Sequence, residues 1–185
     1  MIPYEFDAER FSRWMSYVLR HNPTRYGLQP DRHGYVDLDA FLHVAQQRYP
    51  EVTLERLRQL TESGGTGRFE VLETRLRARY GHSIPVEPPD APVAPPTQLY
   101  HGADAAEAES ILLQGLTPRD RQWLHLSDTL EDALAVASRK TTQPVVIAVA
   151  AREAHAAGQA FYRESKVYLT ASIPAQFLQL LPVSS

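Results

Sequence analysis

Residues 84–96 read IPVEPPDAPVAPP, with six prolines and neither helical nor strand periodicity. Proline fixes φ at about −65° and removes the backbone donor, so this run predicts a semi-rigid extended linker. It falls near the middle of a chain of 185 residues. That length suits one large domain or two small lobes. The proline run favours two: a lobe over residues 1–83, the linker over 84–96, and a second lobe over 97–185.

Upstream of the linker the pattern is helix, helix, helix, hairpin. Phe11, Trp14, Met15, Val18 and Leu19 follow the spacing of one apolar helix stripe, and Asn22-Pro23 ends it. Leu38, Phe41, Leu42 and Ala45 mark a second stripe, after a short extended piece at Gly34-Tyr35-Val36. Leu54, Leu57 and Leu60 mark a third, with Thr53 as N-cap. Phe69-Glu70-Val71 alternates like a strand, and residues 74–78 supply its hairpin partner. Three small helices and a hairpin resemble a winged-helix module.

Downstream, strand and helix alternate. Leu99-Tyr100-His101 is a short strand. Asp104 and Glu107 form a capping-box pattern opening a helix that Gly115 closes. Residues 124–126 form a strand, Asp128 with Glu131 repeats the capping pattern, and residues 145–149 form a buried strand rich in β-branched residues. Two more short strands follow, at 167–169 and 177–181. The expected fold class is α+β, with a β-rich second lobe carrying two or three helices.

Composition narrows the chemistry. There is no cysteine, which excludes disulfides, thiol nucleophiles and thiolate-bound metals. No apolar run reaches the roughly 20 residues that span a bilayer, and MIPYEFDAERF does not read as a secretory signal. A cytoplasmic location is expected. Net charge is −3, against a general nucleic-acid coat. Residues 1–83 hold 12 Arg, no Lys and 11 acidic residues, whereas 84–185 hold 7 basic and 11 acidic residues. An all-arginine first half suits bidentate phosphate recognition, although composition bias alone produces the same excess.

Four segments place polar groups where structure does not need them. Arg20 and His21 end the first helix; the dipole favours such a pair there, and the pair can also grip and protonate a phosphoryl group. Arg75, Arg77 and Arg79 alternate, so a strand would project all three from one face. They would repel unless an anion or carboxylates sat opposite. Gly102 after His101 would let a ligand approach the backbone. His125 and Ser127 point the same way in a strand, and Ser138-Arg139 lies beyond the next helix. No Gly-rich phosphate loop, nucleophile elbow or metal-ligand histidine spacing is present.

In order, SRWMSYVLRHNPTRYGLQPDRHGYVDLDAFL, GRFEV, RARYGHS, LYHG, ILLQGL, WLHLS, Arg139 with PVVIAV, and VYLTASIPAQFL resemble the NAD-dependent RNA 2'-phosphotransferase family. The pieces span nearly the whole chain. The resemblance implies an N-terminal winged-helix-like lobe that holds an RNA 2'-phosphate. It implies a C-terminal lobe of ADP-ribosyltransferase fold that holds NAD as co-substrate, with no metal, in a monomer. The family's essential three arginines and one histidine match Arg20, His21, Arg77 and Arg139. Its NAD-side positions match His101, Gly102, His125 and Ser127. The reaction implied passes the phosphate to the ADP-ribose part of NAD. Tyr80 stands where relatives often carry Gln, Ala103 where they carry Thr, and residues 161–167 depart from the pattern. One alternative is ADP-ribosylation of phosphorylated nucleic-acid ends without the second step. Another is a winged-helix regulator, for which residues 54–61 offer too little basic surface.

Overall fold

The computed structural model describes residues 6–63, 67–88 and 91–181, with the backbone alone at 62 and 63. The chain forms two compact units that divide between positions 89 and 90, inside the proline-rich segment. Both described ends of that segment are tied down. The Glu87 N–H donates to the Arg32 carbonyl (2.8 Å), and the Val93 N–H donates to the Phe161 carbonyl (2.7 Å). The run is therefore anchored on both sides rather than spanning as a free spacer.

In the first unit, α1 (Ala8–His21) starts where the Asp7 carboxylate accepts from the Arg10 N–H at 2.9 Å. It ends at Asn22, whose N–H donates to Val18. Its stripe of Phe11, Trp14, Met15, Val18 and Leu19 is buried as the spacing required. A tight turn follows, in which the Asp31 carboxylate accepts from both His33 and Tyr35 N–H groups. It leads into β1 (Val36–Asp37), α2 (Leu38–Arg48) and α3 (Leu54–Ser63). Thr53 caps α3 by accepting from the Arg56 N–H. The strands β2 (Phe69–Leu72) and β3 (Arg75–Ala78) form a hairpin, and the antiparallel sheet runs β1-β3-β2. Phe41, Leu57 and Leu76 close the core against α1. Burying each such side chain contributes about 1.5–3 kcal/mol.

The second unit is a six-stranded antiparallel sheet in the order β7-β8-β5-β4-β6-β9. Its strands are β4 (Leu99–Asp104), β5 (Leu124–Ser127), β6 (Pro144–Val149), β7 (Tyr162–Glu164), β8 (Val167–Thr170) and β9 (Leu178–Leu181). Helices α4 (Ala105–Gln114), α5 (Leu130–Ser138) and α6 (Ala151–Ala156) complete it. Three details differ from the sequence reading. The N-cap of α5 is Thr129, which accepts from the Asp132 N–H, not Asp128. Glu107 pairs with Arg119 (2.6 Å) rather than closing a capping box. The short β7 and α6 carry too few residues to show a period.

Gly102 packs against α5. A Cβ there would lie 2.1 Å from the Ala133 carbonyl oxygen and 2.9 Å from the Ala137 Cβ. The absent side chain thus lets the helix, rather than a ligand, approach β4 on that side. Overpacking of this kind costs about 1–3 kcal/mol, and here the obstacle is backbone. Gly102→Ala is expected to lie at the upper end of that range, about 3 kcal/mol, in urea unfolding. A loss below about 0.5 kcal/mol would contradict the packing described.

Candidate active site

In the first unit, the last turn of α1 carries Arg20 and His21, and β3 carries Arg77. The structure brings all three together around His82, where Arg20, Arg77 and His21 each act on its ring electrostatically. Burial and these cations push His82 down to about 3, so it is neutral across the physiological range. It is 5% exposed.

Arg77 is buried, and its orientation is fixed by Glu70. The Arg77 Nε–H donates to Glu70 Oε2 at 2.7 Å, and the Tyr35 hydroxyl donates to the same oxygen at 2.6 Å. Arg79 Nη2 pairs with Glu70 Oε1 at 2.8 Å. Burial alone would raise the Glu70 carboxyl, but the Tyr35 hydroxyl and the Arg77 and Arg79 guanidiniums outweigh it and hold it below its usual range. Arg75 meets Asp31 at 3.5 Å. Carboxylates therefore answer the alternating arginines, as like charges on one face require. The balance stays positive, because one Glu70 serves two arginines. The Arg77 guanidinium also lies over the Tyr35 ring, 5.0 Å from its centre.

The loop after β3 wraps the end of α1. Gly81 has φ 91°, and a Cβ there would meet Arg20 Nη1 at 3.2 Å. The Arg20 guanidinium thus lies against bare backbone, with the Tyr80 ring centre 5.3 Å away. The Ser83 N–H donates to the Arg20 carbonyl at 3.0 Å, and Ser83 Oγ lies 2.9 Å from His21 Nδ1. Sequence reasoning missed Tyr35, Glu70, His82 and Ser83. Glu70 was findable, since a hairpin turning at Glu73-Thr74 sets it directly opposite Arg77. Ser83 had no local signal, because its partner is 62 positions away.

In the second unit the sheet is divided at its middle. β4 and β6 pair along six positions and β5 and β8 along four, but β4 and β5 share one pair, Tyr100↔Ser127. Beside that junction the His101 Nδ1–H donates to the His125 carbonyl at 3.2 Å. A carbonyl only accepts, so the neutral ring keeps its lone pair on Nε2. Burial, then Lys140 and Arg119, lower the His101 pKa against the pull of that hydrogen bond, and the ring is uncharged at neutral pH. Nε2 is then suited to accept a hydrogen bond.

Strand alternation sets His125 and Ser127 on the same face as Tyr100, and His101 on the other. The structure thus joins His101 to the His125 backbone, not to the two side chains. Arg139 is the exposed C-cap residue of α5. Arg119 and Lys140, neither singled out from sequence, act on the His101 ring electrostatically; Lys140 is itself lowered by partial burial, then by Arg121 and Arg119.

Arg20 and His21 at the end of α1 and Arg77 on β3, held by one carboxylate and one serine, define a cationic polar cluster in a mixed α/β protein. The chain matches the RNA 2'-phosphotransferase, Tpt1/KptA family over residues 7–172, and belongs to that family. It is similar to the probable RNA 2'-phosphotransferase of Thermococcus kodakarensis, at 35% identity over 94% of this chain and 97% of the relative. The protein of that name from Acetivibrio thermocellus is 36% identical, again over 94% and 97%. That from Bacillus thuringiensis subsp. konkukian is 36% identical over 91% and 93%. The chain is a transferase of this family. Among the described residues no helix is long and apolar enough to cross a membrane.

Proposed function

We propose that the protein removes an internal 2'-phosphate from RNA by transferring it to the ADP-ribose part of NAD. The observation that carries this is the gathering of Arg20, His21 and Arg77 around one neutral, buried histidine in the first unit. The family relationship gives the substrate class. On this reading the first unit is the winged-helix-like lobe, holding the RNA 2'-phosphate. The second is the ADP-ribosyltransferase-like lobe, holding NAD through His101, the Gly102 backbone, His125 and Ser127. A monomer acting in the cytoplasm, with tRNA splicing as one RNA source, belongs to the same proposal.

The reaction runs in two displacements. A 2'-phosphate oxygen attacks the anomeric carbon of the nicotinamide ribose, and the glycosidic bond breaks with its electron pair leaving on nicotinamide. The leaving group starts cationic, so this step needs little acid help. The ribose 2''-hydroxyl then attacks phosphorus and gives up its proton, and the bond from phosphorus to the RNA 2'-oxygen breaks. That oxygen takes a proton, leaving 2'-hydroxyl RNA and ADP-ribose cyclic phosphate. Arg20 and Arg77 neutralise the phosphoryl oxygens, and the family resemblance adds Arg139 to the essential set. His21 takes and returns the proton, because it is the one imidazole among three arginines, whose guanidiniums do not give up a proton. No step calls for a metal.

The test is incubation of the protein with NAD and an oligonucleotide bearing one internal 2'-phosphate. Equal release of nicotinamide and loss of the RNA phosphate are expected. Accumulation of RNA-phospho-ADP-ribose would instead support ADP-ribosylation without the second displacement.

A further inference from the structure

The loop from Gly81 to Ser83 touches the end of α1 at three points, and each contact serves one of two adjacent residues. Gly81 makes room for the Arg20 guanidinium. The Ser83 N–H satisfies the Arg20 carbonyl, one of the last-turn acceptors a helix leaves unpaired. Ser83 Oγ holds His21 Nδ1 at 2.9 Å. A serine that only closed the helix end would need its backbone alone.

We propose that Ser83 is a positioning residue that fixes the orientation and tautomer of His21, with Nδ1–H donating to Ser83 Oγ and Nε2 presented to the reacting groups. This rests on the transfer reaction proposed above. Through the second displacement the His21 ring passes from neutral to imidazolium and back. In both states Nδ1 carries a proton, so one acceptor oxygen holds the ring throughout. Serine-protease-type triads place a carboxylate in this role. Here a carboxylate beside Nδ1 would oppose the very anion the site must bind, weakening what Arg20 and Arg77 supply. A hydroxyl orients the ring without adding charge. The surroundings of His21 are consistent with this: Ser83 lies on its Nδ1, the Tyr17 ring is one turn back at 6.4 Å, and neutral His82 feels His21 together with Arg20 and Arg77. Buried His82 fills the space behind the cations without a charge of its own; its Nε2 lies 3.1 Å from where a Cβ on Gly34 would stand.

Two measurements on the full chain test this. Nitrogen-15 shifts of the His21 ring should show the Nδ1–H tautomer above its pKa, and Ser83→Ala should move the ring toward Nε2–H, which an unconstrained histidine side chain prefers. This readout does not depend on turnover, so it stands even if the transfer reaction is wrong. An Nε2–H ring in the wild type, or no change in Ser83→Ala, would overturn the proposal. In single-turnover assays Ser83→Ala should slow phosphate release about tenfold or more with RNA affinity unchanged. Ser83→Thr should restore most of the rate. Ser83→Asp should move the acidic limb of the rate profile to higher pH and weaken RNA binding. Wild-type release by Ser83→Ala, or equal losses of rate and affinity with no shift in Ser83→Asp, would reduce Ser83 to a structural contact. Failure of the wild type to release phosphate at all would instead count against the transfer reaction itself.

Discussion

Arg77→Ala is expected to lower 2'-phosphate removal by at least about 10³-fold, since deleting one preorganised donor to a developing phosphoryl charge costs about 10²–10³ and the proposed role of Arg77 includes holding the ground-state phosphate. The guanidinium is buried and its Nε is committed to Glu70, so its plane is set before substrate arrives. Truncation leaves Glu70 with the Tyr35 hydroxyl and Arg79 still bound, so the fold should survive with a loss of about 1–3 kcal/mol. Arg77→Lys keeps the charge but not the fork and should recover little. The same loss is expected of Arg139→Ala, whose side chain is exposed, at almost no cost in stability. Rates within about tenfold of wild type in either variant, measured on folded protein, would remove that arginine from the chemistry.

His21→Ala is expected to reduce the rate of phosphate release by about 10²–10⁴, the range for a general acid–base, while RNA affinity changes far less. The side chain is exposed at the end of α1, so the substitution leaves the core untouched. The phosphate should be held by the remaining guanidiniums and simply wait. A Kd increase that accounts for the whole effect would make His21 a binding group.

Most elements of both units were readable because their periodicities are strong; the short β7 and α6 were not. The α1 stripe, the three short helices and the β2–β3 hairpin follow directly from where Phe11, Phe41, Leu57 and Phe69 must be buried. The proline run signalled two bodies, but not that its flanks are pinned by Arg32 and Phe161; such hydrogen bonds have no sequence signature. Among the candidate residues, Arg20, His21 and Arg77 all act electrostatically on the buried His82 ring. What held them was hidden, because Ser83 and Tyr35 act across long separations. Gly102 shows the opposite difficulty. A glycine after a histidine reads as space for a ligand, and only the position of Ala133 shows that a helix also occupies the place of its missing side chain. The division of the second sheet between β4 and β5 was likewise unreadable, since register between distant strands is set by packing.

The most direct test of the central claim, that the first-unit cluster reads the 2'-phosphate, is a binding measurement without NAD. Affinity would be compared for two oligonucleotides identical except for one internal 2'-phosphate or 2'-hydroxyl, using wild type, Arg20→Ala and Arg77→Ala. Charge-assisted hydrogen bonds of about 1.5–3 kcal/mol predict a preference of about 10- to 100-fold for the phosphorylated strand in the wild type, largely lost in both variants. Equal affinity for the two strands, or a preference that survives both substitutions, would show that the phosphate is recognised elsewhere.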